Sequence, residues 1–205
     1  MSKTRESADK FWRWFESHRS DLDALVDTDD PLWDVVLGQL QQIHKRLRFE
    51  LSMPNGSTRD FVVTADGHED AFPLADALVA RSPSIHGWRF IALKPPMGFD
   101  FVTNYEGVSF DPHSMGFMPL ESGSRPQDLG LRIGVPNLTG AIMQQAENAI
   151  LIILDTALGE RAAAIDIQHL EVSNLPESPE SHGYIELHML PKYIEWRKQK
   201  RRKAR

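Results

Sequence analysis

The chain has no cysteine among its 205 residues. Structural disulfides, thiolate metal centres and a cysteine nucleophile are therefore excluded together. Long apolar runs are missing as well. The longest, residues 149–154, falls far short of the ~20 residues that a membrane-spanning helix needs. The first ten residues are polar and lack the apolar core of a signal peptide. These absences predict a cytoplasmic protein without membrane association. GxGxxG, GxxxxGK(S/T) and HExxH are absent too, so no cofactor is expected. What remains is globular in type. Hydrophobic residues make up 41% and charged residues 25%, which argues against wholesale disorder, and the length suffices for a sizeable core.

Charge is unevenly placed. The net value is −6, yet residues 192–205 hold eight Lys or Arg and a single acid, Glu195, for +7; the rest of the chain therefore carries −13. An acidic body with a basic end has two electrostatically distinct surfaces.

Apolar periodicity predicts the elements. Phe11, Trp14, Phe15, His18, Leu22, Leu25 and Val26 recur at three- and four-residue steps, a helical face. A second helix opens at Asp30-Pro31, where the carboxylate caps free amides and proline suits the first turn. The short joint Thr28-Asp29-Asp30 predicts an N-terminal helical hairpin. Leu47, Phe49, Leu51 and Met53 then alternate as a strand, Pro54-Asn55-Gly56-Ser57 reads as a turn, and Phe61, Val63 and Ala65 return. A helix is expected over 70–81 and a strand over 88–93, closed by Lys94-Pro95-Pro96. Short strands follow at 99–105, 107–110 and 115–120, and a regular one at 129–135. Residues 139–158 predict a long helix, apolar on every face over 149–154, with Gly159 placed for a left-handed cap. Ile165 and Ile167 with Leu170 and Val172 suggest one strand, bulged near Gln168-His169. A last strand over 185–189 precedes a basic helix from Pro191. This order predicts an α+β fold, an antiparallel β-sheet packed by helices, ferredoxin-like or related. One domain is expected over residues 1–190, followed by a basic C-terminal helix or tail over 191–205.

Five stretches carry a resemblance. They are Phe11-Trp12-Arg13-Trp14-Phe15, Leu47-Arg48-Phe49-Glu50, Phe61-Val62-Val63-Thr64-Ala65-Asp66-Gly67, Trp88-Arg89-Phe90 and Leu154-Asp155-Thr156-Ala157-Leu158-Gly159-Glu160. In that order they resemble a bacterial family of small α+β proteins known only as a domain of unknown function. The resemblance covers most of the chain up to about residue 175. It implies one α+β domain and a bacterial source, and it transfers no catalytic residue. Some relatives of that family are associated with a small ferredoxin-like regulator that inhibits an RNA-degrading enzyme.

Candidate sites are few. Asp66-Gly67-His68-Glu69-Asp70 offers three carboxylates and an imidazole, donors for a divalent cation or for acid–base work. Asp111 and His113 extend this candidate metal set. The competing reading is a turn after a strand, with Glu69 and Asp70 favourably placed at a helix N-terminus, and it is the stronger. No metal is assigned. Asp111-Pro112-His113-Ser114 spells the residue types of a catalytic triad, but three neighbours on one loop rarely reach that geometry. Trp12, off the main stripe of the first helix, is read as buried against the sheet rather than as a partner's anchor. At the C-terminus, Arg197, Lys198, Lys200, Arg201, Arg202, Lys203 and Arg205 form a candidate polyanion-binding set, since helix-end electrostatics alone do not require seven cations. No catalytic residue is assigned. The leading expectation is a non-enzymatic binding or regulatory protein acting through protein contacts. Two alternatives stand beside it: a metal-assisted hydrolase built on residues 66–70, and an RNA-associated protein using the basic tail.

Overall fold

Phe11, Trp12 and Phe15 lie one helical turn apart or adjacent on α1 (Ser2–Ser17), and all three are buried. A computed structural model describes residues 2–53, 58–121 and 123–203 of the chain. The turn expected over 54–57 lies outside these residues. The chain divides into two compact units, Met1–Pro95 and Pro96–Arg205. The expectation of one domain over 1–190 drew no boundary there, and the basic segment from 191 falls within the second unit. Helices accompany antiparallel and mixed sheets, so the fold is α+β.

In the first unit α1 is followed by α2 (Arg19–Ala24) and α3 (Leu32–Gln41). His18 leaves helical geometry between α1 and α2 (φ −110°, ψ 15°), and its ring stacks on Trp14 at 4.8 Å. Strand β1 (Arg48–Leu51) pairs antiparallel with β2 (Arg59–Thr64), which puts Phe49 opposite Val63. A 3-10 turn and α4 (Phe72–Val79) then carry the chain to β3 (Trp88–Ala92). β3 pairs with β2 in parallel, Phe61 opposite Phe90. A purely antiparallel sheet was expected; a helical crossover instead returns the chain in the same direction. The aromatic face of α1 closes on this sheet, with Phe15 5.3 Å from Phe61 and 5.2 Å from Phe90. Trp12 is buried as expected, 3% exposed, and its indole N–H donates to the Leu78 carbonyl at 2.8 Å.

The second unit opens with a hairpin of β4 (Thr103–Tyr105) and β5 (Val108–Phe110). Its main sheet has the order β8-β7-β6-β9, from β6 (Gly116–Leu120), β7 (Gly130–Val135), β8 (His169–Asn174) and β9 (Ile185–Glu186). β6 is antiparallel to both β7 and β9, while β7 and β8 run parallel. A Cβ on Gly134 would meet the side chains of Leu175 and Tyr184, so glycine there marks close packing. Between β7 and β8 lie α5 (Met143–Leu158) and α6 (Glu160–Asp166). Ile165 thus belongs to a helix, and Ile167 follows it, where a strand was expected; three successive alanines, 162–164, favour helix. Gln168 does the strand's work at the join. Its backbone N–H donates to the Leu129 carbonyl at 2.9 Å, and its side-chain oxygen accepts from the Leu129 N–H at 2.6 Å.

Helix α5 is buried on one face only. Ala146, Ala149, Ile150, Ile153, Leu154 and Ala157 enter the core, whereas Leu151 is 57% and Ile152 43% exposed. Gly159 ends α5 with positive φ (79°), as expected, but with ψ 149° rather than a left-handed helical value. That region is essentially restricted to glycine. α7 (Leu190–Lys203) closes the unit, buried through Leu190 and Ile194.

Candidate functional site

The acidic loop of the first unit is built as a turn. Asp66 and Gly67 both have positive φ (48° and 74°), and the His68 N–H donates to the Ala65 carbonyl at 3.0 Å. The Asp66 carboxylate faces Arg48 at 3.8 Å, and Asp70 pairs with Arg46. Two of the three carboxylates are thus neutralised by neighbouring cations. His68 and Glu69 are exposed on the same turn. Among the described residues, no group of three or more His, Asp or Glu is placed to hold a metal ion.

Asp111 and His113 belong to the second unit. The Asp111 side chain accepts the His113 backbone N–H at 2.9 Å, capping the 3-10 turn Pro112–Ser114. His113 Nε2 meets Asp100 at 2.9 Å, and its ring lies 5.6 Å from that of His188. Ser114 Oγ donates to the Asp111 carbonyl at 2.7 Å, so serine and histidine do not form a nucleophile–base pair. An open cleft of 780 Å³ adjoins them, with Ser181 among its lining residues. Ser181 Oγ is 3.1 Å from His182 Nδ1, but that nitrogen is 2.9 Å from the Ser178 carbonyl. It must carry the proton to bond a carbonyl, which leaves no lone pair to deprotonate Ser181.

A second cleft lies beside α7. The sequence holds Tyr193, Trp196, Arg197, Lys200 and Arg201 at three- and four-residue steps, so one helical face gathers rings and cations together. With Pro119, Leu120 and Glu121 from the end of β6, and Gly123, Pro126 and Leu129 from the β6–β7 connection, they line a cleft of 460 Å³. Trp196 is 53% exposed. Its ring lies 5.5 Å from Tyr193 and under the Lys200 ammonium at 5.1 Å, a cation–π distance. Burial pushes the Tyr193 hydroxyl above its ordinary value, against the opposing pull of Arg197 and Arg201.

The cations of this helix divide into two groups. Arg197 fixes the wall of the cleft by donating to the carbonyls of Pro126 (3.3 Å), Gln127 (3.1 Å) and Asp128 (2.5 Å). Lys198 pairs with Asp166 at 2.7 Å. Both act within the fold, although the sequence placed them with the polyanion-binding set. Lys200, Arg202 and Lys203 are exposed, Arg201 is half-buried, and Arg205 lies outside the described residues. The sequence signal for the site was the ring-and-cation spacing on α7. Its other wall, drawn from Pro119, Leu120, Glu121, Gly123, Pro126 and Leu129, carries no motif and was missed. Comparison of the chain with protein-family models, curated proteins and solved structures gives no match.

Proposed function

We propose that this chain is a non-enzymatic binding protein that acts through protein contacts, with the cleft beside α7 as its docking place. The observation that carries this reading is the half-exposed Trp196, held between Tyr193 and Lys200 in a cleft that Leu120, Pro126 and Leu129 also line. Tryptophan fixed in this way offers a large contact area at little entropic cost, and such residues are enriched among interface hot spots. The cations around it select an acidic segment bearing an apolar side chain. Nothing in the hydrolase alternative gains comparable support, since Asp66 and Asp70 already face Arg48 and Arg46.

RNA is the less favoured occupant. A polynucleotide is held by many phosphate contacts at once. Here Arg197 and Lys198 serve the fold, and the chain outside 192–205 carries −13. The test compares two probes by fluorescence titration, a synthetic peptide of alternating Glu and Leu and an oligouridylate. The peptide is expected to bind, and Trp196→Ala or Lys200→Glu to weaken it at least ~10-fold. Tight oligouridylate binding with an inert peptide overturns the reading in favour of RNA. Membership of the bacterial α+β family and a cytoplasmic location belong to the same proposal.

The finer architecture is part of it too. Lys10 on α1 donates to Gln42, just past α3, at 3.4 Å, which supports a helical hairpin at the N-terminus. A ferredoxin-like sheet lacks such support. Its crossovers skip a strand, whereas those from β2 to β3 and from β7 to β8 join adjacent strands.

A further inference from the structure

Residues 21–34 contain six aspartates and no Lys or Arg. Five of them, Asp21, Asp27, Asp29, Asp30 and Asp34, are exposed, while Asp23 is engaged by Arg19 at 3.4 Å and by the Trp88 indole N–H at 2.6 Å. Exposed Val26 and Val35 flank them, at 48% and 45%. The segment is not a loose loop. The Asp30 N–H donates to the Asp27 carbonyl at 3.3 Å, and the Asp29 N–H to the Asp27 carboxylate at 3.0 Å. The Trp33 indole then ties the same Asp27 carbonyl at 2.8 Å. A rigid acidic turn with apolar shoulders is what the cleft beside α7 would select, and its rigidity lowers the entropy lost on docking.

We infer that a second copy of this chain supplies an occupant of that cleft, its acidic turn around Asp29 meeting Trp196, Lys200 and Lys203. The inference rests on the docking role given to the cleft above. Charge complementarity carries it: the turn has five exposed carboxylates, and the far end of α7 has exposed Lys200, Arg202 and Lys203. Both surfaces are exposed in the single chain, so a second molecule has access to each. Because the two surfaces differ, the contact is heterologous. Reciprocal exchange closes a dimer, and unreciprocated exchange runs on as a chain.

Sedimentation velocity on the full chain tests this. Mass should rise with concentration at ~50 mM NaCl, and association should weaken at least ~10-fold near ~500 mM, as the screening length contracts. The double substitution Asp29→Lys with Asp34→Lys should give monomers, and so should Lys200→Glu with Lys203→Glu. Melting temperatures close to that of the unaltered chain show that both variants fold. Each variant sets like charges against one another where residues 29 and 34 meet 200 and 203, whereas an equimolar mixture sets the new lysines of one variant against the new glutamates of the other and should associate again. A chain that stays monomeric at low salt overturns the inference, as does association indifferent to both substitutions. Either failure leaves the docking role intact where the Glu/Leu peptide still binds at Trp196. If the peptide also fails, the docking role falls with it.

Discussion

Helix α2 ends with carbonyls that no later turn of the helix can satisfy. Arg59, on β2, supplies the donors: its guanidinium bonds the Leu22 carbonyl at 2.6 Å, the Leu25 carbonyl, and the Ser52 carbonyl at 3.0 Å. The side chain is only 5% exposed and lies 5.5 Å over the Trp88 ring. Burial pulls its pKa below the ordinary value, while Asp23 opposes the shift. Arg59→Met keeps the aliphatic stem but takes the charged donor from the buried Leu25 carbonyl and from the Ser52 carbonyl, leaving Leu22 only its bond from the Leu25 N–H, and it should cost on the order of 2–4 kcal/mol in urea unfolding. Arg59→Lys should rescue little, because one ammonium cannot span carbonyls that a planar fork reaches together. A midpoint near that of the unaltered chain for Arg59→Met would remove this role. None of this was legible beforehand. Arg59 sits in an alternating segment as one more polar residue, and the two carbonyls it holds at the end of α2 lie more than thirty positions away. Trp12 was legible, because its offset from the stripe of α1 still left it within reach of a sheet.

At the scale of elements, periodicity located nearly every helix and strand but not their surroundings. Residues 149–154 are all apolar, which says that each tolerates burial, not that a neighbour exists to bury it. α5 meets the sheet along Ala149, Ile150, Ile153, Leu154 and Ala157, a stripe at three- and four-residue steps, and Leu151 and Ile152 point away. Ile153→Asp should therefore abolish cooperative unfolding of the second unit, since an isolated carboxylate would enter a site with no exposure. Leu151→Asp on the same helix should stay within about 0.5 kcal/mol of the unaltered chain. Thermal melts followed by circular dichroism decide it, and equal damage from both would mean that the two faces are assigned wrongly. Strand direction was missed for another reason. A helix between two strands permits a parallel return, and the expected helix over 70–81 stood between two expected strands; the βαβ signal was present and went unread. The candidate site divides in the same way. α7 declares its rings and cations by local spacing, while Pro126 and Leu129 reach the cleft only through tertiary folding.

Two hydrophobic cores within one chain set the behaviour of the whole molecule. The first unit buries Phe11, Phe15, Phe61 and Leu78 around the sheet β1-β2-β3. The second buries Phe110, Phe117, Leu131, Ile133 and Ile153 around β8-β7-β6-β9. The second core is assembled from helices and strands of its own unit, and the strands of each of these sheets come from one unit. The boundary at Pro95-Pro96 suits a division, because neither residue can donate to a sheet and proline disfavours helix in the residue before it. Units of this length lie near the common domain size, where a core of their own can support folding. Residues 1–95 and 96–205, produced separately, should each melt cooperatively and keep slowly exchanging amides in β2 and β7 respectively. The second fragment should also retain Glu/Leu peptide binding, because every residue lining the cleft lies within it. The first fragment should show none. If either fragment lacks a cooperative transition, folding requires both units and the boundary at 95–96 is only geometric. If 96–205 folds but cannot bind the peptide that the full chain binds, the docking site draws on more than the cleft beside α7.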